Sequence, residues 1–179
     1  MKILIIILAV IVGIIALLLL IALFSRKKYT VTRSITIHKP ASEVYQYVIH
    51  LKNQIHYNKF VMQDPNQKVD YRGTDGTVGF VLAWNGNKQA GEGEQEIRNL
   101  VENRRMDVEL RFVRPFAGIA QAPLELERKS ASETIVTWGM SSQMPYPANL
   151  MLLLANVEGM LGKELEESLA NLKRELEKG

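Results

Sequence analysis

The sequence predicts an α+β protein in which one transmembrane helix precedes a single domain, built from an antiparallel β-sheet and a long C-terminal helix. Three observations support this prediction. Ile3–Phe24 is an uncharged apolar run, apolar and polar residues alternate repeatedly between Tyr29 and Gln143, and leucines recur every three or four residues from Leu161 to Leu176. Period-two alternation is typical of half-buried strands, and a spacing of three to four residues is typical of amphipathic helices.

The N-terminal run is long enough to cross a bilayer as a helix. At about 1.5 Å per residue it extends roughly 33 Å, and the hydrocarbon core of a bilayer is about 30 Å thick. The alternatives are a cleaved signal peptide and a buried core helix. Signal peptides have apolar regions of only about 7–15 residues and end at small residues, so we expect residues 1–28 to be a retained anchor with a basic flank.

Basic residues flank both ends of the predicted anchor. Lys2 and the terminal amine precede it, while Arg26, Lys27, Lys28 and Arg33 follow it. Cytoplasmic flanks tend to carry more Lys and Arg, so the protein is predicted to be a single-pass membrane protein with its domain in the cytoplasm. The basic cluster is interpreted as a stop signal at the interface, with contact to anionic headgroups as the alternative.

The domain, residues 29–179, is predicted to begin with a strand and two short helices. Tyr29–His38 alternates apolar and polar residues, which predicts a half-buried strand. Pro40 suits the start of a helix, and the apolar stripe after it supports one. A second short helix is expected over residues 51–58.

The middle of the domain is predicted to be a meander of antiparallel strands. Asn85-Gly86 is the residue pair that type I′ hairpin turns prefer, and the alternation after it places Glu92, Glu94 and Glu96 towards solvent. Short turns between consecutive strands indicate antiparallel pairing. The predicted strands cover residues 77–84, 91–98, 105–112, 119–128 and 133–143.

The leucine stripe predicts a long C-terminal helix that covers one face of this sheet. The opposite face of this helix is rich in Lys, Arg and Glu. The stripe is too short for a coiled-coil seam to be the preferred interpretation. Packing of one long helix against an antiparallel sheet explains it better.

Four stretches of sequence resemble the START-like SRPBCC superfamily, and within it the polyketide cyclase/dehydrase-like group. They are TRSITIHKPASEVYQYVIHLKN, FVLAWNGNKQAGEGEQEI, ETIVTWGM and MLGKELEESLANLKRELE, and together they extend over nearly all of residues 29–179. The resemblance implies the helix-grip fold, with a deep apolar cavity between the sheet and the long helix. His56 and Tyr57 stand where many members of the family carry tryptophan.

The candidate ligand-binding residues are aromatic, aliphatic and methionine side chains that the alternation places on the inner side of the sheet, together with Tyr57. Such walls adapt to irregular apolar ligands. Ordinary core packing is the alternative for each of them. The full set is Tyr57, Phe80, Leu82, Trp84, Met106, Phe112, Trp138 and Met140.

Composition and motifs exclude several other kinds of site. The net charge is +3, with 22 basic and 19 acidic residues, so the dense cationic stripe of a nucleic-acid-binding module is absent. The sequence has no cysteine and no phosphate-binding loop, and His38, His50 and His56 do not have metal-ligand spacing. We therefore expect no metal, no cofactor and no nucleic-acid partner.

The favoured hypothesis is a membrane-anchored binding module for a hydrophobic small molecule or lipid. The first alternative is a polyketide cyclase/dehydratase-like enzyme, in which Tyr57, His56 or Glu109 would have to act as acid or base. The second is a membrane-tethered protein-interaction domain. The fold alone does not decide among them, because one scaffold supports many functions.

Overall fold

The computed structural model describes residues 2–178, so the outer limits of the two predicted segments, Met1 and Gly179, lie outside the described residues. Helix α1 covers Lys2–Phe24. Its most apolar window has a mean hydropathy of 3.7, and none of that window is buried inside the structure. By length and composition α1 can cross a membrane.

The remaining elements follow the predicted order. Strand β1 (Lys28–Ile37) leads to helix α2 (Ala41–Val48), which is followed by two 3₁₀ helices, Leu51–His56 and Val61–Gln63. A third 3₁₀ helix, Ala148–Leu150, and the short helix α3 (Met151–Leu154) precede the long helix α4 (Val157–Glu177). The other strands are β2 (Lys68–Arg72), β3 (Val81–Asn85), β4 (Glu92–Val101), β5 (Arg105–Arg114), β6 (Gly118–Arg128) and β7 (Thr134–Gln143).

The seven strands form one antiparallel sheet in the order β1-β7-β6-β5-β4-β3-β2. Strand β1 forms one edge of the sheet beside β7, where Lys28 is paired with Gln143 and Ile37 with Thr134. Every connection from β2 to β7 joins neighbouring strands, as expected of a meander. The predicted α+β helix-grip architecture is confirmed.

Helix α4 packs against the inner face of the sheet and runs in the same direction as β1. Arg33 in the middle of β1 pairs with Glu166, and Lys173 farther along α4 donates to the carbonyl oxygen of Thr36, near the end of β1, at 2.6 Å. The predicted stripe is the buried face, because Leu165, Leu169, Leu172 and Leu176 are all buried. This packing places the first turn of α4 at the same end of the sheet as α1.

Two sequence predictions differ from the structure. Residues 68–72 form the edge strand β2, which was not predicted, and all five of its residues are exposed. The predicted type I′ turn at Asn85-Gly86 is wrong, because neither residue has a positive φ and the strands are joined by a longer loop, residues 86–91. Asp64 accepts a hydrogen bond from the amide of Asn87 at 2.7 Å, so a contact with a distant loop sets this conformation.

The end of α1 is held against the segment that follows β7. The side-chain amide of Asn149 donates to the carbonyl oxygen of Ala22 at 2.7 Å, and both residues are fully buried. The backbone amide of Met144 donates to the carbonyl oxygen of Lys27 at 2.8 Å. The bond from Asn149 satisfies a carbonyl group in the last turn of α1, and the bond from Met144 extends the β1–β7 pairing beyond Lys28 and Gln143.

Candidate ligand-binding cavity

A cavity of about 260 Å³ lies between the inner face of the sheet and helix α4. Small-molecule sites in proteins commonly occupy about 300–1,000 Å³, so this cavity is slightly smaller than the usual range. Its walls come from β1, from β3 to β7, from the first two 3₁₀ helices with their connections, and from Leu161 near the start of α4. The position is the one that the helix-grip arrangement predicts.

Six of the eight predicted ligand-binding residues line this cavity. The alternation along the strands placed them correctly, because side chains two residues apart share one face of a sheet. Trp84 and Phe112 meet edge to face with ring centroids 6.1 Å apart, which gives the wall a rigid aromatic corner. The six residues are Leu82, Trp84, Met106, Phe112, Trp138 and Met140.

Tyr57 and Phe80 are buried but do not belong to the cavity lining. Tyr57 lies behind the wall, between the rings of Tyr47 and Trp138 at centroid distances of 6.2 and 6.0 Å. Phe80 precedes β3 and stacks on Tyr71 at 6.1 Å. In this structure both residues support the wall from outside the cavity.

The glycines of the strand after the Trp84 hairpin have structural roles. Gly91 has φ of +69°, and a β-carbon there would lie 2.4 Å from the carbonyl oxygen of Arg114. A β-carbon on Gly93 would lie 2.8 Å from the Trp84 ring. The absence of a side chain at Gly93 therefore leaves room for the indole of Trp84 against β4.

Three neutral amide side chains form the buried polar group of the lining, whereas the other polar lining residues, Gln63, Gln67, Gln89 and Arg114, are at least partly exposed. The Gln54 side-chain oxygen accepts hydrogen bonds from the amide groups of Gln95 at 2.8 Å and Asn58 at 3.0 Å. All three residues are buried and line the cavity. The sequence predictions missed them because they come from separate segments, Gln54 from the first 3₁₀ helix, Asn58 from just after it and Gln95 from β4, and polar residues give no apolar signal. We call Gln54, Asn58 and Gln95 the amide trio.

The amide trio has hydrogen-bonding groups that the described part of the protein does not use. Within the described residues, no hydrogen bond is made by the side-chain amide of Gln54 or by the side-chain oxygen of Gln95. Among residues 2–178, the Gln54 amide nitrogen is thus a free hydrogen-bond donor and the Gln95 amide oxygen a free acceptor. Leaving either without a hydrogen bond in a low-dielectric cavity costs free energy. A ligand with a hydroxyl or carbonyl group would satisfy them.

Ionisable side chains are scarce in the cavity. Within the described residues the lining has two, Tyr29 and Arg114. Arg114 is exposed at the cavity mouth, where it pairs with Glu92 at 2.7 Å and also contacts Asn85. The lining thus offers no carboxylate or imidazole for proton transfer.

None of the three acid–base candidates lies in the cavity. His56 is exposed, with its Nδ1 3.1 Å from the Tyr47 hydroxyl oxygen. Glu109 is on the outer face of the sheet and pairs with Arg111 at 2.7 Å, which holds the pKa of Glu109 below its ordinary value. Burial raises the pKa of Tyr57 well above that of a free phenol, so this hydroxyl stays protonated.

The outer face of the sheet is charged, in contrast to the largely uncharged cavity lining. Arg111 binds three carboxylates there, at 2.7 Å to Glu94, 2.8 Å to Glu96 and 2.7 Å to Glu109. Among residues 2–178, no cluster of His, Asp and Glu has the arrangement needed to hold a metal ion. The acidic groups of the sheet are therefore neutralised by arginine on the solvent side.

Comparisons with known proteins place the chain by its fold. No protein-family model matches the sequence, and no curated protein sequence does. Solved structures do match. A truncated norcoclaurine synthase from Thalictrum flavum has a TM-score of 0.65 at 9% identity, with 85% of this chain and 95% of that chain covered.

Two further structures give the same result. Norcoclaurine synthase from Thalictrum flavum in complex with dopamine and hydroxybenzaldehyde has a TM-score of 0.63 at 11% identity, covering 83% of this chain and 86% of that chain. A Thermobifida fusca protein solved by NMR has a TM-score of 0.62 at 17% identity, covering 82% and 92%. At these identities the similarity defines the class of fold, a helix-grip domain with an internal cavity.

Proposed function

We propose that this protein is a membrane-anchored binding module for a hydrophobic small molecule or lipid, held in the cavity between the sheet and α4. The observation that supports this most is the lining itself. Aromatic, aliphatic and methionine side chains surround one buried polar cluster, the amide trio, while the other polar lining residues, Gln63, Gln67, Gln89 and Arg114, are partly or fully exposed. A site of this kind suits a neutral ligand that is mostly apolar and carries one hydroxyl or carbonyl group.

Two other observations support the proposal. Norcoclaurine synthase, a neighbour in fold, was solved with two small aromatic molecules, dopamine and hydroxybenzaldehyde. Helix α1 provides a segment long and apolar enough to hold the domain at a bilayer. The cavity lining lacks a carboxylate and an imidazole, which favours binding over the cyclase/dehydratase alternative.

The proposal is tested by filling the cavity. Ala122 is buried in the lining on β6, and the next residue, Gln121, is exposed on the other face of the same strand. Full-length protein is purified in detergent as wild type, Ala122→Phe and the control Gln121→Phe. Native mass spectrometry and solvent extraction then identify any co-purifying molecule.

We expect a co-purifying apolar ligand with the wild type and with Gln121→Phe, and at least tenfold less of it with Ala122→Phe. A second cavity variant, Leu110→Phe, is used if circular dichroism shows that Ala122→Phe is misfolded. Binding is also measured with parinaryl alcohol, a slim polyene that accepts energy from tryptophan. The proposal is wrong if neither a native ligand nor parinaryl alcohol binds to the folded wild type.

The cytoplasmic orientation is part of the proposal, since more basic residues follow α1 than precede it. The chain has no cysteine, so an introduced one is the unique thiol. We expect Ala131→Cys, in the exposed β6–β7 turn, to react with a membrane-impermeant maleimide only after the expressing cells are permeabilised. Reaction in intact cells would reverse the assignment.

A further inference from the structure

The mouth of the cavity is at the end of the sheet where α1 joins the domain. Of the lining residues, Gln89, Arg114 and Pro115 are exposed, whereas Met106 and Gln54 are buried. Strand β1 starts at this end, and β3 and β5 finish there, because the sheet is antiparallel throughout. The mouth is therefore at the same end of the domain as the junction with α1.

Large apolar side chains are exposed at this same end. Phe116, at the tip of the β5–β6 hairpin next to Pro115, is 83% exposed, and Leu154 in α3 is 68% exposed. Met160 is 66% exposed and immediately precedes the cavity residue Leu161. We call this set the apolar collar: Phe116, Tyr146, Met151, Leu153, Leu154 and Met160.

The depth of the collar follows from its contact with α1. Asn149 bonds to the carbonyl oxygen of Ala22, two residues before α1 ends at Phe24. At about 1.5 Å per residue this contact is roughly 3 Å inside the end of the apolar helix. Leu18 and Leu19 in the preceding turn are also partly covered, while most of α1 is exposed. If α1 spans a bilayer, Met151–Leu154 lies at the boundary between headgroups and acyl chains.

The charges near the collar fit the same placement. Arg26, Lys27 and Lys28 follow α1 directly and are exposed, and Lys88 is exposed in the loop beside the cavity mouth. Basic side chains at this level face the headgroup layer, where anionic lipids attract them. Apolar side chains with a basic margin are the pattern of segments that lie in the interface.

From these observations we infer that the cavity exchanges its ligand directly with the bilayer. The apolar collar is inserted in the membrane interface, and the cavity mouth opens within it, so that a neutral amphiphile dissolved in the leaflet reaches the amide trio without crossing water. This inference rests on the proposed function. The occupant of the collar is the lipid surface, because the collar continues the apolar surface of α1.

Insertion of the collar is measured first, without any ligand. Single cysteines replace Phe116, Leu154 and, as a control at the far end of the sheet, Ala131, and each is labelled with the environment-sensitive dye NBD. The full chain is placed in vesicles of phosphatidylcholine with one-fifth phosphatidylglycerol. We expect the labels at 116 and 154 to emit at shorter wavelength and to be quenched by spin-labelled lipids, and the label at 131 to stay in a polar environment.

Ligand exchange is measured with parinaryl alcohol dissolved in the same vesicles. Both tryptophans of the chain, Trp84 and Trp138, line the cavity, so energy transfer from tryptophan reports arrival of the probe. The collar variant is Phe116→Glu with Leu154→Glu, and the charge-matched control is Ala131→Glu with Ser132→Glu. We expect the collar variant to slow transfer from vesicles at least tenfold, and the control to transfer as the wild type does.

Binding in detergent separates the two proposals. If the collar variant and wild type bind the probe equally in detergent and only transfer from vesicles is slowed, the inference is supported. If detergent binding is normal but the labels stay polar, or if transfer is unchanged, the collar serves another partner, such as a protein or a second copy of the chain, and the inference is wrong. If the wild type does not bind the probe even in detergent, the proposed function fails instead.

Discussion

Tyr57 has a hydroxyl group that is buried and makes no hydrogen bond within the described residues. Its ring packs between Tyr47 and Trp138, so the ring supports the cavity wall while the hydroxyl adds an unpaired polar atom. We expect Tyr57→Phe to leave the free energy of unfolding unchanged or to raise it by up to about 1 kcal/mol. Chemical denaturation of the detergent-solubilised protein measures this.

Tyr47→Phe is the matched control for this substitution. It removes a hydroxyl that does have a partner, the Nδ1 of His56 at 3.1 Å, and we expect a loss of about 0.5–1 kcal/mol. A larger loss for Tyr57→Phe than for Tyr47→Phe would show that the Tyr57 hydroxyl is satisfied, for example by an internal water. It would also return Tyr57 to the set of residues able to act chemically.

At the level of elements, the outer face of the sheet depends on Arg111, which joins carboxylates from β4 and β5. Hydrogen bonds from Arg111 lower the pKa of Glu94 and Glu109. Burial raises the pKa of Glu96, but bonds from Arg111 and Arg98 outweigh it. These carboxylates are partly exposed, so we expect Arg111→Met to cost about 1–2 kcal/mol at pH 7.

The cost of Arg111→Met should depend on pH with a definite sign. A carboxylate whose pKa is lowered by folding stabilises the native state above its unfolded pKa of about 4.3, and this contribution is lost as the pH falls through the lower folded value. The difference between wild type and variant should therefore be largest near pH 7 and shrink below about pH 4. Denaturation curves across this range measure it.

Arg128→Met provides the control for this series. Arg128 is exposed and bonds only to the carbonyl oxygen of Ser130 at 3.3 Å among the described contacts. We expect a change within about 0.5 kcal/mol and no dependence on pH. A cost of Arg111→Met that is constant from pH 7 to pH 3 would mean that Arg111 acts through packing of its side chain rather than through its charge.

The elements also show which features of the fold the sequence could predict. Strands β5 and β7 each bury one face more than the other, so their alternation was visible in the sequence and inner residues such as Met106 and Trp138 were assigned to the correct face. Strand β2 has five residues, all exposed at the edge of the sheet, so its alternation of Val69 and Tyr71 with charged residues is brief and marks no buried face. The prediction of a type I′ turn at Asn85-Gly86 was wrong because Asp64, distant in sequence, binds the loop.

The same reasoning applies to the cavity. Alternation predicts which side of the sheet a residue faces, and this was enough for Leu82, Trp84 and Trp138. It does not predict how deep a residue lies within that layer, so Tyr57 and Phe80 were assigned to a cavity that they only support. The amide trio was missed because its function depends on mutual contacts that no local pattern records.

For the whole molecule, the important relation is that between α1 and the domain, since the proposed exchange of ligand with the bilayer requires a fixed orientation. Asn149 is the main polar link, because its amide caps the end of α1 and is fully buried. Without Asn149 the Ala22 carbonyl oxygen would keep only the longer bond from the Ser25 amide, at 3.3 Å. Little water is available near a bilayer to replace the lost partner, so the Asn149 bond is worth more than an exposed one. Asn149 should therefore determine how rigidly the domain is held.

We expect Asn149→Asp to loosen this link, because a carboxylate of the same size cannot donate a hydrogen bond and is repelled by the negative end of the helix dipole. Spin labels on cysteines at Val12 and Ala131 report the orientation of the domain relative to α1. In lipid nanodiscs the wild type should give one narrow distance distribution and Asn149→Asp a broad one, with transfer of parinaryl alcohol from the bilayer slowed in parallel.

A broad distribution in the wild type would show that the domain moves freely relative to α1, and Asn149 could then not hold the apolar collar at one depth. Narrow distributions in both proteins would instead assign the orientation to the apolar contacts around Ala22.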